Sequence, residues 1–281
     1  MSVTAIPLTK HIGAEIRGID LTRPAGEADI AALKQLWLRH VILVFRDQRL
    51  SQEDLLRVTG YFGRVGVLAR PREYRPAGFD KLLDNIMLIS NIRENGEPIG
   101  ALPDGEMMFH HDMLHAKVPH KGTCLYSVEV PASGGNTLFA NCYTAYDTMP
   151  DAVRERLEGR RAFHHYNYGS VQKGDGKGTP AFAESTHPVF RTHEETGRKA
   201  VYVNRLMTER VIDLPPEESD RLLAAVFDHS ENSEWVYEHV WSPNDLIVWD
   251  NRCSMHARTD FSPTERRLLL RATIDGDVEP F

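Results

Sequence analysis

The amino-acid sequence predicts a mainly β protein, a sandwich or barrel with helices on its outside. Two observations favour this class: strand-like apolar runs dominate the chain after Phe109, and only four stretches of the 281 residues show helical periodicity. Hydrophobic residues make up 41% of the chain, which is enough to bury a sizeable core. Because no internal repeat or low-complexity tract is visible, we expect a single domain over residues 1–281.

Composition and charge exclude several classes of partner. The net charge of −7 argues against a nucleic-acid backbone or an anionic membrane as the main partner. No run approaches the roughly 18 apolar residues of a transmembrane helix. The three cysteines are widely spaced and form no CxxC pair, which is typical of a reducing compartment. We therefore expect a cytoplasmic enzyme with a small-molecule substrate. These observations are compatible with a homo-oligomer.

The first third of the chain predicts two strands, two helices and a further strand. Glycine-punctuated apolar residues at 12–21 are typical of a β-hairpin. Apolar residues three and four apart predict a helix over 27–40, and the apolar run at 41–45 predicts a buried strand. Ser51 and Asp54 have the spacing of a capping box, so a second helix is expected to run from there to Phe62.

The remaining chain predicts a lid, a β-rich body and two more helices. Residues 64–108 are rich in turn formers around one apolar run at 86–90, which is typical of a functional lid. Four glycines within 169–179 predict a mobile loop at about 168–185. Strands are expected at 122–130, 137–140, 200–203, 235–240, 246–249 and 268–274, and helices at 145–159 and 215–229.

The densest group of metal-capable side chains lies at residues 110–115. In a strand His110 and Asp112 share one face, while His111 points away. His256 follows the strand predicted at 246–249, where a loop is expected to begin. Two histidines and a carboxylate form the facial triad of non-heme Fe(II) oxygenases. A histidine at a strand end is more often structural, so the His-x-Asp pair alone leaves both interpretations open.

Two arginines strengthen the metal hypothesis. Arg267 and Arg271 are an even number of residues apart in a leucine-rich segment that reads as a buried strand. A buried guanidinium is unfavourable unless it meets an anion, and its planar fork fits a carboxylate. Two such arginines beside a metal triad suggest a dicarboxylate cosubstrate.

At these positions the sequence resembles the taurine dioxygenase and chlorophenoxyacetate dioxygenase (TauD/TfdA) family of Fe(II)/2-oxoglutarate-dependent oxygenases. The resemblance is carried by the order His-x-Asp, a threonine about 25 residues later, a distal histidine, and an arginine about 11 residues after it. In this chain the four elements are His110-x-Asp112, Thr137, His256 and Arg267. The segments 131–137, 192–198 and 249–252 also resemble the family.

The resemblance implies a double-stranded β-helix, or jelly roll, with flanking helices. It implies Fe(II) held by His110, Asp112 and His256, with O₂ and 2-oxoglutarate as cosubstrates. By position, Arg267 and Thr137 would bind the distal carboxylate of 2-oxoglutarate. Arg271 would meet either an acidic group of the primary substrate or 2-oxoglutarate.

The implied reaction is hydroxylation of a C–H bond of a small, acidic organic substrate, such as a sulfonate, an aryloxyalkanoate or a related carboxylic acid, with release of succinate and CO₂. Phe109 stands where the family usually has tryptophan, and the segment 106–108 differs from that of taurine dioxygenase, which argues against taurine itself. The alternatives are a desaturase or cyclising oxygenase on the same scaffold, and a non-catalytic binding protein. Asp112 disfavours a halogenase, in which a small residue replaces this carboxylate.

Overall fold

The computed structural model describes residues 3–67, 78, 81–101, 107–166 and 183–281. The strands are β1 (Thr4–Pro7), β2 (Ala14–Arg17), β3 (Ile42–Phe45), β4 (Met87–Ser90), β5 (Arg93–Glu94), β6 (Glu97–Pro98), β7 (Met107–His110), β8 (Gly122–Glu129), β9 (Thr137–Asn141), β10 (Arg161–Tyr166), β11 (Ala183–Pro188), β12 (Phe190–Thr192), β13 (Lys199–Val201), β14 (Thr208–Val211), β15 (Val236–His239), β16 (Leu246–Asp250), β17 (Ser254–Arg258) and β18 (Leu268–Ile274). The helices are α1 (Glu27–His40), α2 (Gln52–Phe62), α3 (Cys142–Asp147), α4 (Asp151–Leu157) and α5 (Pro216–Ser230), and a 3₁₀ turn covers Ser233–Trp235.

Two sheets form the body of the molecule. The larger has seven strands in the order β1-β2-β3-β16-β8-β18-β4, and the smaller has four in the order β15-β9-β17-β7. All pairs in both sheets are antiparallel except β2 with β3. One hydrophobic core joins them, with Leu125 and Leu269 from the larger sheet and Phe139 and Met255 from the smaller. The structure confirms the mainly β class, a jelly roll with flanking helices.

Helices α1 and α2 cover the outer face of the larger sheet. Leu33 and Trp37 of α1 and Leu55 and Val58 of α2 form a second hydrophobic core with that face. The expected capping box is confirmed, because the Asp54 amide donates to the Ser51 hydroxyl at 3.1 Å and the Ser51 amide donates to the Asp54 carboxylate at 3.0 Å. No helix within the described parts of the chain combines the length and apolar character needed to cross a membrane.

Most expected elements are present with ends within two residues of the predicted ones. The prediction of one helix over 145–159 is wrong. The structure has two helices there, because α3 ends at Asp147 and α4 starts at Asp151. Pro150 lies between them; it has no N–H to donate, and it disfavours helical geometry at the residue before it. The predicted mobile loop lies outside the described residues up to 182, and its last residues belong to β11.

The lid-like region, predicted at 64–108, is described only in part. Its described residues include β4, the short pair β5 and β6, and the start of β7. Residues 68–77, 79–80 and 102–106 lie outside the described residues, and with them the arginines at 70, 72 and 75. The interpretation of this region as a lid stays a prediction.

Gly134 and Gly96 have similar backbone conformations, but a Cβ would collide with a neighbouring atom only at Gly134. Both have positive φ, 73° and 85°, which disfavours any residue with a Cβ. A Cβ at Gly134 would lie 2.3 Å from the Asp260 carbonyl oxygen, whereas a Cβ at Gly96 would meet no atom within 4 Å. We expect Gly96→Ala to cost about 1–2 kcal/mol and Gly134→Ala clearly more, as measured by urea unfolding. Equal losses in the free energy of unfolding would show that the backbone at Asp260 moves away from the added Cβ at no cost.

Candidate active site

The pairing of β7 with β17 brings two histidines together. His110 is the cross-strand partner of His256, and their ring centroids lie 4.1 Å apart. His110 Nδ1 donates to the Met108 carbonyl at 2.9 Å, which leaves Nε2 as the free nitrogen of the neutral ring. The Trp249 ring lies 4.7 Å from the His256 ring and supports it from the core side.

The structure corrects the expected position of His256. It lies inside β17 rather than in a loop at the rim of the sandwich. Strand β17 pairs with β9 on one side and with β7 on the other, so the chain re-enters a sheet directly after the turn that follows β16. His256 is therefore held by strand pairing on both sides.

Asp112 completes the cluster, but it lies in a turn and not in the expected strand. Strand β7 ends at His110, and Asp112 lies in the following turn, where Met113 has a φ of 58°. A turn, and not strand alternation, brings the carboxylate to the histidines. Within the described residues His110, Asp112 and His256 form a group whose potential ligand atoms all lie within 4.8 Å of one another.

The surroundings of Asp112 favour its charged form. An Arg271 guanidinium nitrogen lies 2.6 Å from Asp112 Oδ1, and the Thr123 hydroxyl donates to Oδ2 at 2.7 Å. Burial alone would raise the pKa of Asp112, but Arg271 and then the two histidines lower it, so the net pKa lies well below its ordinary value. Asp112 is therefore an anion at neutral pH.

The two histidines are neutral for a related reason. Burial is the largest cause that lowers the pKa of His110 and of His256, and for both rings it outweighs the attraction of the nearby Asp112 carboxylate. A neutral imidazole and an ionised carboxylate are the protonation states that a divalent metal requires. The donor set thus fits Fe(II) and its usual two-histidine, one-carboxylate site.

His111 lies outside this group although it stands between two of its members in sequence. Its ring is fully buried, with Nδ1 at 3.3 Å from the Asn204 side-chain nitrogen and Nε2 at 3.7 Å from Cys142 Sγ. Burial, followed by the charge of neighbouring groups, lowers the pKa of His111 to about 3. The expected division between His110 and His111 thus agrees with their contacts.

A cavity opens beside the cluster, between the larger and the smaller sheet. Its wall is formed by Ile89, Met107, His110, Leu125, Thr137, Trp249, His256, Ala257, Arg258, Arg267 and Arg271. Thr137, Arg267 and Arg271, all predicted from sequence, therefore face the same space as the two histidines. Arg271 lies within β18, whereas Arg267 directly precedes that strand instead of lying in it.

Arg267 is a buried cation at the wall of this cavity. Its side chain donates from Nε to the Gly135 carbonyl at 3.1 Å, and no salt bridge involves it within the described residues. Burial, and then the charge of Arg258, lowers the pKa of Arg267 to about 9. Such a guanidinium is stabilised by an anion that enters the cavity.

Thr137 is oriented for donation. The Trp241 indole N–H donates to the Thr137 hydroxyl oxygen at 3.0 Å, and the threonine side chain is buried. Because a hydroxyl has one proton and two lone pairs, this contact leaves its own proton available for an acceptor in the cavity.

Three residues at this site were not predicted: Thr123, Trp241 and Arg258. Arg258 could have been found, because it stands two residues after His256 and strand alternation places both on one face. The expectation of a loop at His256 concealed that signal. Thr123 and Trp241 act through contacts between residues distant in sequence, for which we find no local pattern.

A second metal-capable group lies among the described residues at His193, Asp250 and Cys253. Arg252 donates to both carboxylate oxygens of Asp250, at 2.8 and 2.6 Å, and His193 Nε2 lies 3.1 Å from Oδ2. The same guanidinium reaches Glu194 at 2.9 Å. Asp250 is thus already matched by a cation, so this group is a buried salt-bridge network.

Two other buried histidines have structural surroundings. His164 lies in β10, with Nδ1 at 3.0 Å from the Thr208 hydroxyl, and its ring stacks on His187 at 5.6 Å. His115 stacks on Tyr166 at 5.3 Å. Neither residue belongs to a metal-capable group within the described ranges.

Comparison with known proteins identifies the family. A sequence model described as "Taurine catabolism dioxygenase TauD, TfdA family" matches residues 4–273. The chain belongs to this TauD/TfdA family. The match spans every element from β1 nearly to the end of β18, including all the predicted site residues.

Individual relatives are similar over their full length. A pentalenolactone F synthase from Streptomyces avermitilis is 33% identical over 302 aligned positions, which cover 100% of this chain and 97% of the relative. An alpha-ketoglutarate-dependent 2,4-dichlorophenoxyacetate dioxygenase from Cupriavidus pinatubonensis is 32% identical, with 99% of each chain covered. The crystal structure of a taurine dioxygenase from Burkholderia xenovorans matches with a TM-score of 0.81 at 26% identity, covering 100% of this chain and 93% of that one.

These findings establish the class of enzyme. This TauD/TfdA protein is a 2-oxoglutarate-dependent dioxygenase that uses Fe(II) and O₂. The jelly-roll prediction and the predicted cosubstrates are thereby confirmed.

The network around Asp250 predicts a large loss of stability when its charge is removed. Asp250→Asn would leave Arg252 buried with its main partner neutral, which we expect to cost about 3–5 kcal/mol in the free energy of unfolding. Glu218→Gln is the matched control, because Glu218 is paired at both oxygens with Arg156 at the surface. That exposed pair should contribute little. Urea unfolding of both variants checks the contrast, and similar losses would contradict it.

Proposed function

We propose that this dioxygenase hydroxylates a C–H bond of a small organic acid, with Fe(II) held by His110, Asp112 and His256. The observation that supports this most is the convergence of two neutral imidazoles and one ionised carboxylate on a cavity lined with arginines. Three protein ligands leave three positions of an octahedral metal for cosubstrate and O₂. When bound, Fe(II) and 2-oxoglutarate supply the oxidising chemistry, in which one oxygen atom enters the substrate and the other enters succinate as CO₂ leaves.

The protein's own groups hold the two organic acids. Arg267 lacks an acidic partner among the described residues and lies beside the donating hydroxyl of Thr137, which suits the distal carboxylate of 2-oxoglutarate. These contacts would direct the keto-acid end of the cosubstrate towards the His110 and His256 side of the cavity. The apolar wall formed by Leu125 and Trp249 would exclude water from the reacting centre.

Arg271 supports an acidic primary substrate. One of its terminal nitrogens is bonded to Asp112, while its buried Nε has no hydrogen-bond partner among the described residues. A spare donor next to the metal ligands can accept an anionic group of the substrate and so orient the C–H bond. Two relatives are named for small organic acids, 2,4-dichlorophenoxyacetate and taurine.

A second candidate outcome is desaturation or ring formation in a biosynthetic intermediate. It is favoured by the relative named for the synthesis of pentalenolactone F. The residues proposed for Fe(II) and 2-oxoglutarate are the same in both cases, and the outcomes differ in product mass. Hydroxylation adds one oxygen atom to the substrate, whereas desaturation removes two hydrogens. Mass spectrometry of products from a screen of aryloxy acids, sulfonates, sulfate esters and related carboxylic acids separates hydroxylation from the other two outcomes.

The proposed ligand set predicts which histidine matters for metal binding. His110→Ala, Asp112→Ala and His256→Ala should each abolish stoichiometric Fe(II) binding and turnover, because each removes one of three ligands. The measurements are bound metal after anaerobic gel filtration and succinate formation, with circular dichroism as the check on folding. His111→Asn is the matched control and should retain the metal. Loss of metal in His111→Asn with retention in His110→Ala would reverse the assignment.

The two predicted arginines should have separable effects. Arg267→Ala should raise the KM for 2-oxoglutarate at least thirtyfold, because losing a buried charge pair costs about 2–5 kcal/mol. Arg271→Ala should change this KM little but lower the ratio of oxidised product to succinate, since the primary substrate loses its anchor. Steady-state kinetics with both products quantified checks this. Equal losses of 2-oxoglutarate affinity would show that both arginines serve the cosubstrate.

A further inference from the structure

A third arginine lies in the cavity wall beside those predicted from sequence. Arg258 ends β17 two residues after His256, so the two side chains leave the same face of the strand. In the antiparallel pairing of β17 with β9, Arg258 is directly opposite Thr137. The side chain is 7% exposed and lines the same cavity as Thr137 and Arg267.

Arg258 and Arg267 contact the same aromatic ring. Both guanidinium groups lie over the Phe261 ring, at 5.5 and 5.9 Å from its centroid. After burial, the charge of Arg258 is the second cause that lowers the pKa of Arg267 to about 9. Both arginines line the same cavity, so an anion that reached both guanidinium groups there would receive two charge-assisted contacts.

We propose that Arg258 and Arg267 together form a two-arginine subsite for the distal carboxylate of the 2-oxo acid. This inference rests on the proposed function, in which Arg267 and Thr137 receive that carboxylate. Arg258 adds a second charge-assisted contact from the strand that also carries His256. Two residues of a strand span roughly 7 Å, which is comparable to the length of a five-carbon dicarboxylate. One strand face would thus carry a metal ligand at one end of the cosubstrate and a cation at the other.

The subsite predicts strong discrimination between charged and neutral ends of the 2-oxo acid. 2-Oxopentanoate has the same chain length as 2-oxoglutarate but a methyl group in place of the distal carboxylate. If Arg258 contacts that carboxylate, removing its charge should weaken binding of 2-oxoglutarate and leave binding of 2-oxopentanoate nearly unchanged. A contribution to cavity shape alone would affect both ligands alike.

The test is isothermal titration calorimetry of the full chain loaded with Mn(II), which takes the same oxygen and nitrogen ligands without turnover. Arg258→Met should raise the Kd for 2-oxoglutarate about tenfold to a hundredfold, the range for a hydrogen bond to a charged group. The matched control is Arg266→Met, because Arg266 pairs with Glu129 at the surface. Its Kd should equal that of the unmodified protein.

The remaining outcomes separate failure of this inference from failure of the proposed function. If Arg267→Met weakens 2-oxoglutarate and Arg258→Met stays within twofold of the unmodified protein, the two-arginine subsite is wrong and the proposed function stands. Equal weakening of 2-oxoglutarate and 2-oxopentanoate by Arg258→Met also overturns the subsite. If Arg267→Met has no effect, the proposed function itself fails.

A structural role for Arg258 would give a different signature. It would lower the melting temperature of the cosubstrate-free protein and leave the stabilisation by 2-oxoglutarate intact. The subsite instead predicts that Arg258→Met reduces the thermal shift on adding 2-oxoglutarate. Arg258→Lys keeps the charge but loses the planar fork, so it should retain part of the affinity. A Lys variant as weak as the Met variant, with the shift on adding 2-oxoglutarate unchanged in both, would overturn the subsite.

Discussion

The candidate site depends on the register of three neighbouring strands, β9, β17 and β7. His110 and His256 meet because they are cross-strand partners, and Arg258 faces Thr137 because β17 is paired with β9 in the same register. A slip of one residue would move each of these side chains to the opposite face of the sheet. The metal-capable group and the arginine-lined cavity are therefore set by one pattern of backbone hydrogen bonds, and packing of Trp249 against His256 reinforces it.

Charge balance explains why metal and cosubstrate should bind together. Among the described residues, the cavity wall contains Arg258, Arg267 and Arg271 and no carboxylate. Asp112 lies beside this wall, paired with Arg271 and 3.9 Å from His256 Nε2. A divalent cation adds positive charge to this space, so its binding becomes more favourable once a dianion has entered. The anionic cosubstrate, in turn, gains from both the metal and the arginines.

Site residues could be predicted from the sequence where their spacing along the chain identifies them. Their positions could not be predicted where turns and strand pairing decide them. Thr137, Arg267 and Arg271 were singled out from their spacing along the chain, and all three line one cavity. The reason expected for Asp112 was wrong, since a turn after β7 replaces the predicted strand. Arg258 was missed because His256 was expected in a loop, where the alternation of strand faces does not apply. One helix was predicted over 145–159 from its periodicity, although Pro150 already indicated the end of one helix and the start of another.

Asp112, the proposed metal ligand, and Asp250, a member of a salt-bridge network, differ in their surroundings. Each is buried beside a histidine, and each belongs to a group with metal-ligand spacing. Asp250 meets Arg252 through both oxygens, and that guanidinium is held further by Glu194, so a cation already fills its coordination. Asp112 gives only Oδ1 to Arg271, at the edge of a cavity that ligands can enter. Arg271 can therefore turn towards an arriving anion, whereas Arg252 cannot leave without stranding the buried Asp250 and the half-buried Glu194. Both groups contain a histidine and an aspartate, and the freedom of the neighbouring arginine distinguishes the two aspartates.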